Sequence, residues 1–551
     1  MKKSILSASI AAMIGSLGFA GLANAAVGVY SDAVDPNSAV AAGNLANATA
    51  ATTLAINEAG LGNILVVPYF TTQGTNATLL NITNTDAANG KAVKVRFRGA
   101  SNSDDIFDFT LMLSPGDVWA AKISQGADGR SQIETADKTC TLPSIVATQK
   151  NSFPTGRLNS ALTAEQKANE TREGYIEILN MADVPKAVQT NQVVASGVTT
   201  NPLYTAIKHV GGVAPCTSAA LSPLLTAATN YVAAAADTSA ATIQGKGMAF
   251  PTGKLMANWT IIDTVKTATF SGAATAVAAG SGTAINANVV FFPQSDASAG
   301  NVDAWSADPL LQTTAGNISR TNPATGTAAT GSGTPFISAS YYDLPDLSTP
   351  YLALTTATNT PFAHAEALTA KLAAKSVINE YLTTTSIGAT TDWVFSMPTR
   401  RYNVAMNYAY TSPLGGDGRV YSLWTNNYFD NTNTSVSSGK ICVKADTGTA
   451  GVNQWDREET TTSSGFVISP GTVTSVVFCG ETSVLAINNG TNTSSGSLSA
   501  SLALQNLNVS SNEGWISLGT SGLANRGLPV LGGAFAKSSA FGAMWPHRYT
   551  R

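Results

Sequence analysis

The amino-acid sequence predicts a mainly β protein: two tandem antiparallel β-sandwich (Ig-like) lobes with long Ala/Thr/Ser-rich insertions and one bridging helix. Three observations predict it. Short β-branched and aromatic runs recur between turn-forming residues. Apolar and polar residues alternate with period two inside the clearest of these runs. A set of landmarks in the first half returns in the same order in the second.

Residues 1–25 read as a secretory signal: Lys2 and Lys3, an apolar stretch over 5–22, and Ala23-Asn24-Ala25 as a small-residue cleavage site that would leave Ala26 first. No later stretch holds the roughly 18 uninterrupted apolar residues of a membrane helix, so no transmembrane span is expected after cleavage. Residues 26–60 form an Ala/Asn-rich N-terminal segment in which 40–56 reads as a weak helix or a flexible lead-in.

The first β lobe is assigned to 61–362. Strands are expected at 64–70, 77–83, 93–98, 106–113, 118–123, 174–179, 254–263 and 288–292. Asn89-Gly90 suggests a hairpin between the second and third of these. In Val93-Lys94-Val95-Arg96-Phe97-Arg98 the strict alternation suggests one face on a core and one in water. Ser114-Pro115-Gly116-Asp117 is a turn, and the runs over 185–250 and 295–335 read as surface insertions. A bridging helix and linker occupy 363–390, with Leu368, Leu372, Ile378 and Leu382 along one helical face over 363–382. The second β lobe takes 391–551.

The landmarks are Ile56-Asn57-Glu58, Val67-Pro68, Ser114-Pro115-Gly116 and Glu173-Gly174-Tyr175-Ile176, answered by Ile378-Asn379-Glu380, Met397-Pro398, Ser469-Pro470-Gly471 and Glu513-Gly514-Trp515-Ile516. Four cysteines in a chain bound for an oxidising compartment imply two disulfides. Of the three pairings, Cys140 with Cys216 and Cys442 with Cys479 each close a loop within one lobe.

Composition narrows the function. Only 12% of residues are charged and the net charge is −3, which leaves no basic footprint for nucleic acid. The three histidines, His209, His364 and His547, offer little for metal binding or base catalysis, and His364-Ala365-Glu366 reads as the polar surface of a helix. The mature sequence contains no GxSxG, HExxH, P-loop or dinucleotide fingerprint, so no enzyme is expected. Calcium is the one cofactor with candidate ligands, Asp104, Asp105 and Asp108, because hard cations take clustered carboxylates. The terminal Trp545-Pro546-His547-Arg548-Tyr549-Thr550-Arg551 mixes aromatic and basic groups, and a terminal strand with Trp545 packed inward accounts for it best.

Val377-Ile378-Asn379-Glu380-Tyr381, Thr391-Asp392-Trp393-Val394-Phe395 and Pro398-Thr399-Arg400-Arg401-Tyr402 resemble a pattern in uncharacterised exported cell-surface proteins of Gram-negative bacteria, as do Gly62-Asn63-Ile64-Leu65-Val66-Val67-Pro68-Tyr69 and Val95-Arg96-Phe97-Arg98. The resemblance implies export to the surface and carries over no catalytic residue. Together these features lead to the expectation of an exported structural protein that partners itself in an S-layer-like coat. The alternative is an adhesin or glycan-binding module facing an outer-membrane glycan.

Overall fold

The computed structural model describes residues 51–551 apart from 160, 188, 191–192, 195–199, 227–244, 266–267, 281–286, 288–290, 292–293, 296–317, 320–335, 338–344, 350, 353–360, 407, 409–416, 422–427, 447–450, 457, 459–475, 491–493, 523–524 and 540. The expected signal segment, Ser469-Pro470-Gly471 and most of the expected strand at 288–292 lie outside the described residues. The fold is mainly β and its sheets are mostly antiparallel.

Eight strands of the first lobe are β1 (Ile64–Thr71), β2 (Asn76–Asn84), β3 (Gly90–Gly99), β4 (Val118–Gln125), β5 (Glu173–Val184), β6 (Leu255–Asp263), β7 (Thr269–Ala273) and β8 (Thr275–Gly280). Eight in the second are β9 (Ser376–Leu382), β10 (Ala389–Ser396), β11 (Val452–Asp456), β12 (Thr482–Asn488), β13 (Glu513–Gly519), β14 (Leu531–Ser538), β15 (Phe541–Pro546) and β16 (Arg548–Thr550). In lobe 1 one sheet runs β8-β1-β5-β3 and the other β7-β6-β2-β4; in lobe 2 the orders are β16-β9-β13-β11 and β15-β14-β10-β12. Each strand of lobe 1 therefore recurs eight places later, in the same chain order and with the same neighbours.

Local detail follows the same repeat. The Thr78 hydroxyl on β2 accepts from the Thr71 amide and donates to the Thr71 carbonyl, tying β2 to the end of β1. Thr391 on β10 does the same to Leu382 at the end of β9. Gly174 faces Phe70 across β5 and β1, and Gly514 faces Tyr381 across β13 and β9. A Cβ on either glycine would lie within 2.0 Å of a neighbouring carbonyl, at Arg98 for Gly174 and at Trp455 for Gly514. Of the sequence landmarks, Glu-Gly-aromatic-Ile is equivalent in both lobes. Ile56-Asn57-Glu58 is not: Ile56 ends a strand, Thr53–Ile56, at the sheet margin beside β8, whereas Ile378 lies within β9.

Several local expectations change. The strand Thr53–Ile56 replaces the end of the weak helix at 40–56. Asn89-Gly90 does not close a hairpin, because β2 and β3 belong to opposite sheets; Asn84 donates to the Asn89 and Ser114 carbonyls and shapes a crossing instead. Helix α1 spans Pro361–Leu372 rather than 363–382. Leu368 and Leu372 are buried on it as expected, but Val377, Asn379 and Tyr381 alternate inward on β9 while Glu380 points out. A spacing of four residues suits Ile378 and Leu382 on a helix face and equally on one face of a strand.

The lobes share one core. Phe535 of β14 lies 6.5 Å from Tyr69, 5.8 Å from Trp259 and 5.5 Å from Phe270, ring centre to ring centre, inside the first lobe's apolar cluster. Val394 and Val484 join it, so strands β14, β10 and β12 are buried on both faces, the other against β9 and β13. Helix α1 packs with Ile64 and Val66 of lobe 1 and Leu531 of lobe 2, bridging them. The connection after β3 enters lobe 2: the Ala100 carbonyl accepts from the Glu481 and Thr482 amides, and Asn102 donates to the Gly439 carbonyl. Cys140 pairs with Cys216 and Cys442 with Cys479, each within one lobe.

Candidate functional site

Strand β3 is buried on both faces, contrary to the expectation that one side is wet: Lys91, Lys94, Arg96 and Arg98 are all 0% exposed. Alternation survives, but the charged face meets protein carboxylates instead of water. Lys91 Nζ contacts Asp183 Oδ1 at 2.6 Å and Lys94 Nζ contacts Asp108 Oδ1 at 2.9 Å. Arg98 Nε lies 3.4 Å from Glu177 Oε1.

At the seam, lobe 2 adds the turn after β10. Arg400 Nε sits 2.6 Å from Glu481 Oε2, and Arg401 Nη2 lies 2.7 Å from Asp346 Oδ2 with its guanidinium 4.4 Å above the Tyr402 ring. Tyr175 donates to Glu177 Oε1 at 3.3 Å. Burial works against the Arg401 charge, and Tyr402, Asp346 and Glu177 outweigh it, so the group stays protonated. Burial also pushes the Tyr175 and Tyr402 hydroxyls well above their ordinary range. Arg98, Arg400 and Arg401 thus balance Glu177, Glu481 and Asp346 in a buried seam. Interior pairs of this kind add little net stability over apolar packing, yet removing one partner is costly.

The three candidate calcium ligands belong to the same buried system. Asp105 pairs with Arg157 and lies 3.4 Å from Arg96; Asp108 takes Lys94 and lies 3.7 Å from Arg96; Asp104 accepts from the Tyr408 hydroxyl at 2.6 Å. Burial pushes Asp108 up, and Lys94 and Arg96 overcome it, holding the carboxyl well below its usual range. The negative charge of Asp105 and Asp108 is already met by protein cations. Among the described residues no group of three or more His, Cys, Asp or Glu side chains has metal-holding geometry.

One histidine also sits differently from the sequence reading. His364 is 1% exposed, inside rather than on the polar surface of α1, and burial lowers its pKa to about 4. His209 Nδ1 lies 3.3 Å from Ser114 Oγ and 3.5 Å from Asp117 Oδ2. Serine and carboxylate meet the same ring nitrogen, whereas a proton relay needs them on opposite nitrogens. His547 is buried beside Phe395, its ring stacked at 4.8 Å.

Two surfaces stand out instead. On β15, Phe541, Ala543 and Trp545 point the same way and are exposed, at 81% for Phe541 and 41% for Trp545. Trp545 therefore lies on a terminal strand as expected, but half open to solvent. On the outward face of β11 and β13, Trp455 and Trp515 stack at 3.8 Å with a 9° interplanar angle, and Trp515 is 37% exposed. Sequence reasoning noted Trp515 only within a landmark and turned Trp545 inward; period-two alternation alone cannot say which face of a strand its lobe leaves uncovered. Compared with known proteins, the chain matches no family model, no curated protein and no solved structure.

Proposed function

We propose that the protein is an exported structural component of the cell surface, a coat subunit that associates with further copies of itself in an S-layer-like array. The observation that carries this reading is the Phe541-Ala543-Trp545 stripe on β15. An apolar row on a strand at a sheet margin favours association with another chain. The equivalent strand of lobe 1, β7, turns Thr269 and Ser271 outward instead. A shared core with a charge-balanced seam suits a rigid building block, and two disulfides fit an oxidising compartment.

Electron microscopy and light scattering of the processed chain test the reading. Sheets or large oligomers are expected, and Phe541→Lys with Trp545→Lys should abolish them while circular dichroism stays unchanged. A strictly monomeric wild type refutes it. The stacked Trp455 and Trp515 support a second reading, a glycan-binding surface module, because exposed indoles offer apolar area with a polar edge. Tight binding of a surface glycan by a monomeric chain would establish that reading instead.

A further inference from the structure

The repeat provides an internal comparison for the outward face of β16-β9-β13-β11. Its counterpart in lobe 1, the face of β8-β1-β5-β3 that carries Tyr175 and Arg98, is covered. Helix α1 and Tyr351 pack over Ile64, Val66 and Leu179, and Arg401 from lobe 2 interacts electrostatically with Glu177 beside Tyr175. In register, Tyr175 corresponds to Trp515 and Arg98 to Trp455, since Arg98 pairs with Tyr175 exactly as many residues from the paired glycine as Trp455 does with Trp515. An aromatic side chain at this position of lobe 1 thus has an arginine for a neighbour, while in lobe 2 the corresponding indole is open.

The open face carries charges of both signs. Glu380 stands directly opposite Trp515, is exposed, and makes no ion pair among the described residues. On the other side of β9, Arg548 of β16 lies opposite Ile378, exposed and two residues along from Glu380. A guanidinium placed over an indole with a carboxylate beside it gains from both groups. A face bearing both the cation and its receptor is self-complementary.

We propose that the Trp515, Trp455 and Glu380 patch receives Arg548 from a second copy of the chain. This rests on the self-association reading and names one of its contacts. The contact covers little area, so it acts as one of several weak contacts that a repeating array makes effective together.

Charge reversal tests it. Glu380→Arg and Arg548→Glu should each raise the concentration needed for association about fivefold or more, and the double variant should recover part of that loss, since the swap restores the ion pair but not the cation over the indole. Unchanged melting temperatures would show that all three fold. A double variant no better than either single one, or single variants without effect, would overturn the proposal while leaving the coat reading intact. A synthetic peptide of residues 546–551, which lacks tryptophan, provides an independent arm: it should quench the protein's tryptophan fluorescence saturably, and Trp515→Ala and Glu380→Arg should abolish that. Peptide binding by a chain that never assembles would overturn the coat reading and with it the contact between copies. Quenching by a neutral oligosaccharide with none by the peptide would reject the arginine contact in favour of a glycan.

Discussion

Asn379 donates its side-chain N–H to Nδ1 of His547 at 3.0 Å, and Nε2 of the same ring donates to the Val394 carbonyl at 2.9 Å. The imidazole is thereby held neutral as one tautomer, joining β9 to β10 through the first residues after β15. Burial lowers its pKa to about 3. Because the folded value lies below the unfolded one, about 6.5, the stability tied to His547 is present above that pH and drains away as pH falls towards 3. Replacing His547 by Gln should flatten the acid limb of a denaturation series between those values, at a cost near neutrality of about 1–3 kcal/mol.

Asp392 behaves with the opposite sign. Its carboxylate accepts from Ser495 Oγ at 2.6 Å, the Ser497 amide at 3.0 Å and the Leu498 amide at 2.8 Å, yet burial still raises its pKa to about 6. Its contribution is complete below about pH 3.9 and is lost as pH rises through 6, a span of about 3 kcal/mol. Asp392→Asn should remove that slope. Chemical denaturation at pH 5 and pH 8 would show wild type losing stability between them and the variant losing much less.

Cutting the seam should be expensive for both lobes at once. Arg401→Ala strands Asp346 without its cation, and breaking a buried pair this way costs about 3–5 kcal/mol. Calorimetry should still record one transition for both lobes, shifted to lower temperature, because Phe535, Val394 and Val484 sit in the first lobe's core. Two separate transitions would contradict the shared core.

The two glycines of the repeated Glu-Gly-aromatic-Ile sequence predict matched effects. Gly174→Ala and Gly514→Ala each force a methyl against a backbone carbonyl that has no room to move without parting two strands. A loss of about 2–4 kcal/mol is expected for each, measured by thermal melting, whereas Gly116→Ala should be milder because open space surrounds it and only its positive φ resists.

These glycines also explain which parts of the architecture were legible in the sequence. Glu173-Gly174-Tyr175-Ile176 and Glu513-Gly514-Trp515-Ile516 preserve a local steric demand, so the repeat left a readable trace there. The disulfide pairing was legible because each bridge closes within one lobe. The fate of Lys94, Arg96 and Arg98 was not, since their partners Asp108 and Glu177 come from other strands and the seam's other half begins some three hundred residues later in the chain. The sheet-to-sheet crossing at Asn89-Gly90 was hidden for a similar reason: a turn sequence specifies a bend, and the strand that receives the next residues decides where it leads. The same holds for the open stripe on β15, whose exposure depends on what its own lobe fails to lay over it.

The embedding of residues 100–104 in lobe 2 sets an order on how the chain can mature. The Ala100 carbonyl has to wait for the Glu481 and Thr482 amides, and Glu173 for the Ser501 and Leu502 amides. During synthesis from the N-terminus, the first lobe thus emerges with Asp346, Glu173 and this connection still lacking their later partners. It remains pliable until the last third of the polypeptide arrives, and only then do both halves lock together as one solid.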